Sequence, residues 1–178
     1  MKLTALLLLN FIFFAATAQE NIPSGIYDFK IEAHDGSVID LSQYKGHKIL
    51  IVNVTAYDEF NRQYPQLEAL SQKYTDGLVV IGMLTDDFLA PATINGQKSV
   101  AGKNYDVSFP LAEMVKVKGA EMAPIYKWLT QKKYNKVKDT EVRWDFQKYL
   151  INEKGELTAV FDPKVTASDP KLIAAIEQ

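Results

Sequence analysis

Cysteine is missing from all 178 residues. That excludes a disulfide, a thiolate metal centre and a thiol nucleophile. Histidine is scarce too: His34 and His47 are the only two, both in segments that read as turns, so no imidazole is expected beside the acidic residues discussed below. Neither sign of charge is in surplus. Twenty Lys and Arg face 22 Asp and Glu, for a net charge of −2, which leaves no electrostatic footprint for nucleic acid or an anionic membrane surface. There is no internal repeat, low-complexity tract or linker. The length suits one domain and a short processing segment rather than two domains.

What is present is ordinary globular material, 47% hydrophobic and 11% aromatic, enough for one solid core. The first residues stand apart. Lys2 gives a positive start, Leu3 to Ala16 is nearly continuous apolar sequence, and Ala16-Thr17-Ala18 supplies a small-x-small cleavage pattern. The run is short for a membrane span and has the flanks of a secretory signal, an uncleaved anchor being the alternative. The expected organisation is therefore a signal peptide over 1–18 and one domain over 19–178, soluble in the periplasm or outside the cell. No stable membrane association is expected after cleavage.

Along the domain, Ile26 to Phe29 and Ser37 to Leu41 bracket Asp35-Gly36, which predicts an N-terminal β-hairpin. Lys48 to Val54 is rich in β-branched residues and, Lys48 and Asn53 apart, apolar, the pattern of a strand buried on both faces. Tyr64, Leu67, Leu70 and Tyr74 recur at helical spacing within 63–74, before Asp76-Gly77, giving a helix with one apolar face. Leu78 to Met83 reads as a second buried strand. The stretch 85–104 reads as loop with one weak helix, and Phe109 to Leu111 as short and extended. Pro124 to Leu129 reads as a helix opened by proline, and Gln131 to Glu141 as a lysine-rich solvated loop. Tyr149 to Asn152 and Leu157 to Phe161 flank Lys154-Gly155 as an antiparallel hairpin, and Pro170 to Ile176 closes the chain as a helix. A strand–helix–strand unit followed by a hairpin and a helix predicts an α/β, thioredoxin-like fold: a central mixed β-sheet flanked by helices, with an N-terminal hairpin.

The segment from Asp35-Gly36 through Leu41, Tyr44 and Gly46 into Lys48–Val54 resembles the opening of glutathione peroxidases. Further matches follow in order: Phe60 with Gln63-Tyr64 and Leu67 to Leu70; Lys73-Tyr74 with Gly77 to Gly82; Asn104-Tyr105 with Phe109-Pro110-Leu111; Pro124 to Leu129; and Trp144 with Phe146 and Lys148 to Leu150. The resemblance covers about 25–176. It implies a nucleophilic cysteine or selenocysteine just after the first long strand, at the amino end of the following helix, where amides and the helix dipole stabilise a thiolate. It also implies a glutamine, a tryptophan and an asparagine around the sulfur.

On that correspondence the nucleophile position is Asp58, the glutamine position Asp87, and the asparagine position Asp145, while the tryptophan is retained as Trp144. The second cysteine position of many relatives is Thr85, and 99–104 holds no resolving cysteine. Peroxide reduction by this family's route needs a sulfur or selenium that is oxidised and then regenerated. A carboxylate has no such cycle.

Three readings follow. The plainest is a pocket turned acidic surface, in which Asp58 accepts amide hydrogen bonds at the helix start, Trp144 persists for packing, and the protein is a non-catalytic scaffold or binding protein. In the second, Asp58, Asp87 and Asp145 converge on Ca²⁺ or Mg²⁺, whose oxygen-ligand chemistry they suit. The third is enzymatic: an acid/base carboxylate pair with one pKa raised by the others, or peroxide detoxification by an unconventional route. No other cofactor is expected. The partner is a small molecule or a protein rather than nucleic acid, and the short segment between Leu129 and Trp144 is expected to leave a monomer.

Overall fold

The computed structural model describes residues 21–55, 62–89 and 107–178. The expected signal segment, Asp58 and residues 90–104 of the irregular stretch lie outside the described residues.

Strands β1 (Lys30–Glu32) and β2 (Val38–Asp40) pair antiparallel, with Ile31 opposite Ile39. The hairpin is where expected, but its first arm starts later than the pattern suggested. Ile26–Asp28 instead forms a single 3-10 turn, with Asp28 accepting from the Gly25 amide at 3.2 Å. The reason is local: a short carboxylate that bonds back to its own backbone competes with a strand. The spacing of three between buried Ile26 and Phe29 suits a 3-10 turn, not a pleat.

The main sheet holds β3 (Lys48–Val54), β4 (Leu78–Leu84), β5 (Leu111–Ala112), β6 (Lys148–Ile151) and β7 (Leu157–Phe161) in the order β5-β4-β3-β6-β7. β3, β4 and β5 run parallel, whereas β6 and β7 are antiparallel to their neighbours. Helix α1 (Tyr64–Lys73) links β3 to β4. Helices α2 (Pro124–Thr130), α3 (Lys132–Asn135) and α4 (Pro170–Glu177) complete the set. The lysine-rich segment 131–141 thus begins with one helical turn, α3, closed by Lys136 at φ 65.

Period-2 alternation sends β3 into two cores. Ile49 and Ile51 pack with Tyr126 and Leu129 of α2 on one face; Leu50, Val52 and Val54 pack with Leu67 and Leu70 of α1 and Leu172 of α4 on the other. Each such fully buried aliphatic contributes about 1.5–3 kcal/mol. Gly82 of β4 has no room for a side chain, since a Cβ there would stand 2.5 Å from Leu111 Cδ2 on the neighbouring strand β5. α4 is tied to the sheet by Lys48, whose Nζ donates to the Ile176 carbonyl at 2.8 Å and pairs with Glu153 at 3.1 Å, a cation at a helix C-terminus. This is the expected thioredoxin-like α/β architecture. No helix among the described residues is long and apolar enough to cross a membrane.

Candidate functional site

Because β3 and β4 are parallel and in register, with Val54 opposite Leu84, their carboxyl ends share one edge of the sheet. Ligands of open α/β sheets bind at that edge. Buried Thr55 and Thr85 follow the two strands. Thr85 donates its amide to the Val54 carbonyl at 3.0 Å, and its Oγ1 accepts from the Asp87 amide at 3.3 Å.

Asp87 is occupied. One carboxylate oxygen accepts from the Val117 amide at 2.6 Å and the Lys118 amide at 3.2 Å, and the other lies 3.2 Å from Lys116 Nζ. Lys116 also bonds Asp86 at 2.7 Å, and its pKa is raised, first by that hydrogen bond. An ionised carboxylate only accepts hydrogen bonds, so Asp87 cannot donate to a sulfur or peroxide as a glutamine amide does. It serves instead as a latch between β4 and the loop after β5. Lys116→Met is expected to lower the thermal midpoint by about 2–4 °C in a circular-dichroism melt at neutral pH. This corresponds to about 1 kcal/mol, kept small because Lys116 is 42% exposed.

Trp144 opens the turn that leads into β6. Its carbonyl accepts from Asn53 Nδ2 at 3.0 Å, and two residues later the Phe146 amide donates to the Asn53 carbonyl at 2.7 Å. Phe146 takes a left-handed φ of 63, a conformation that costs an ordinary residue about 1–2 kcal/mol and must be held from outside. Gln147 fixes the other side, accepting from the Arg143 amide at 3.0 Å and donating to the Glu141 carbonyl and the Tyr149 hydroxyl. The turn buries the Asp145 side chain and leaves Trp144 44% exposed, with its ring 5.2 Å from that of Phe88. Lys118 Nζ lies 3.9 Å from the Phe88 ring centroid, within cation–π range.

Three of the four predicted positions therefore share one neighbourhood. The Tyr126 hydroxyl, buried under the sheet, senses both Asp87 and Asp145: burial first, then the charge of Tyr149 and of these two carboxylates, holds it protonated well above its ordinary range. Asp58 lies outside the described residues, so convergence of all three aspartates has no geometry to report. Among the described residues no three of Asp, Glu and His gather into a group able to hold a metal ion. His47 precedes β3, at the end of that strand opposite this edge, whereas His34 departs from expectation: its amide donates to the Leu111 carbonyl of β5 at 2.9 Å, level with Gly82 toward the carboxyl end of β4.

Sequence reasoning missed four contributors. Phe88 and Lys118 complete the surface around Trp144, and Lys116 occupies Asp86 and Asp87 from 30 residues away, with no local signal to announce it. Buried Lys148 was the legible one: Phe146, Lys148 and Leu150 alternate along one face, which puts a lysine on a core position. Its Nζ donates to the Phe146 carbonyl at 2.6 Å and to Gln63 Oε1 at 2.9 Å. The lysine-rich loop also proves mixed in charge. Lys138 and Arg143 line a cleft of about 550 Å³ together with Asp139, Glu141 and Asp162.

Comparison with known proteins gives this arrangement a lineage. The family model for glutathione peroxidase matches residues 26–130. The glutathione peroxidase-like peroxiredoxin GPX3 of Candida albicans is 35% identical over 147 residues, 79% of this chain and 86% of that protein. Among solved structures, GPX1 of T. cruzi superposes with a TM-score of 0.66 at 27% identity, over 86% of this chain and 97% of the other. A thioredoxin-family thiol:disulfide interchange protein from Chlorobium tepidum shares the fold at a TM-score of 0.57 and 15% identity, over 90% of this chain and all of the other. On the family-model match over more than half of the chain and the 35% identity to a relative over 79% of it, the chain belongs to the glutathione peroxidase family.

Proposed function

We propose that this protein is an exported member of the family that has lost thiol peroxidase activity and uses the surface around Trp144 to bind a small molecule or a protein. One observation carries the reading: the chain has no cysteine, and carboxylates stand at three of the four positions of the family's site. The occupied state of Asp87 supports it, because Lys116 and two amides already hold that side chain. Trp144, Phe88 and Lys118 form a partly exposed aromatic and cationic surface suited to recognition without chemistry. The apolar run Leu3 to Ala16 and the Ala16-Thr17-Ala18 pattern support export, and the processed form is expected to be a monomer by light scattering.

The test is turnover of hydrogen peroxide and of an organic hydroperoxide by purified mature protein, with glutathione and with thioredoxin as reductant. The expected rate is that of the protein-free blank. Turnover above a metal-free blank would sink the reading and direct attention to a non-thiol redox centre.

A further inference from the structure

We infer that Lys148 is a positioning residue for the candidate site, a buried amine whose protonation sets how tightly the start of α1 and the Trp144–Phe146 turn are held together. The inference takes this turn as the site but not its function, so its test needs neither ligand nor peroxide.

The geometry is a three-way junction. Lys148 stands on β6 between Val52 of β3 and Phe161 of β7 and is fully buried. One nitrogen reaches back to the Phe146 carbonyl and across to Gln63, the residue just before α1. Gln63 Nε2 in turn donates to the Pro163 carbonyl, beyond β7, at 3.0 Å. Phe146 is the left-handed residue of the turn. Its amide is held by Asn53 and its carbonyl by Lys148, so the left-handed residue is fastened on both sides. A ring contact reinforces the link, since Tyr64 of α1 meets Phe146 edge-on at 5.4 Å.

Protonation matters because hydrogen bonds from a charged donor are roughly twice as strong as neutral ones. Burial pushes the Lys148 amine down to about 7, while the nearby charge of Asp162 opposes that shift. Among the described residues, Asp162 is the group whose charge reaches the amine, itself 3.9 Å from Arg143. β3 and β7 oppose Lys148 with Val52 and Phe161; the residue before α1 brings neutral Gln63, Tyr64 of α1 meets Phe146, and exposed Arg62 precedes them in the chain. Losing the proton keeps two N–H donors for two acceptors but removes the charge, loosening the turn two residues from Trp144.

The experiment is an NMR titration of the full mature protein from about pH 5.5 to about 9, a range that separates a depressed lysine from ordinary ones. It follows the lysine ε-carbons and the Trp144 indole N–H, the latter assigned with Trp144→Phe. The expected result is one lysine signal, missing in Lys148→Arg, with a midpoint close to 7, and a Trp144 signal that shifts with the same midpoint. The Trp144 transition should persist in His34→Gln and His47→Gln and be absent in Lys148→Met. Titration of Lys148 above about pH 9 with the other lysines would overturn the inference. So would a Trp144 signal that stays constant through the Lys148 transition or vanishes in either histidine variant. The first two outcomes are read on protein with Lys148 intact, so the test stands even if Lys148→Met does not fold.

Discussion

A triple variant, Asp58→Cys with Asp87→Gln and Asp145→Asn, is expected to reduce hydrogen peroxide about 10²-fold faster than Asp58→Cys alone, while the parent chain shows no turnover. The single change restores a nucleophile but leaves carboxylates at the positions where the family has amides. Nearby negative charge disfavours a thiolate and raises the thiol pKa by about 1–3 units. The reactive fraction at neutral pH falls accordingly. Amides remove that penalty and add N–H donors toward the sulfur and the leaving oxygen. Asp87→Gln is compatible with the fold because a glutamine oxygen can still accept from the Val117 and Lys118 amides, and Lys116 retains Asp86 as its partner. Stopped-flow rates for the parent and the two variants decide it. Equal rates for the single and triple variants would show that the two carboxylates do not reach the nucleophile position.

The sequence made the scaffold easy to read and the site only partly so, for different physical reasons. β3 and β4 were plain because a strand buried on both faces is nearly all apolar, and Ile49 to Val54, Asn53 apart, and Leu78 to Leu84 are. The first arm of the hairpin was misplaced because Ile26 and Phe29 satisfy a strand pattern as well as a 3-10 turn, and the Asp28 bond that decides between them involves one side chain and one amide. At the site, Trp144, Asp145 and Asp87 were named from resemblance, and the fold brings them together through strand order. What Asp87 does could not be read in advance, because Lys116 arrives from the loop after β5 and no periodic pattern relates the two. Lys148 was within reach, since its alternation with Phe146 and Leu150 places it in the core, but its partner Gln63 is 85 residues away.

Replacing that lysine should also change how global stability depends on pH. The folded state holds the Lys148 proton weakly, with a pKa lowered from 10.5 to about 7, chiefly by burial. The unfolded chain holds it with ordinary strength. Between those two values the unfolded state binds more protons, so the parent gains stability as pH rises, by up to about 1.4 kcal/mol per pH unit from this group. Below the lower value the cost of burying the charge is present in full. Tyr126 and Tyr149 work in the opposite direction at higher pH, because burial holds both phenols protonated after the unfolded chain would have released them. The clean window therefore ends near pH 9. Unfolding free energies from urea melts of the parent and of Lys148→Met across that window are expected to diverge by about 2–3 kcal/mol in favour of the parent between pH 7 and pH 9, the other groups cancelling in the difference. At pH 7 the two should lie closer together. Methionine removes the buried charge but leaves Gln63 Oε1 and the Phe146 carbonyl without their donor, a loss of about 1–3 kcal/mol per buried group that offsets the gain. Parallel pH profiles for the two proteins would mean that Lys148 keeps its proton when buried, and that Gln63 and Phe146 hold a permanent charge rather than one that comes and goes.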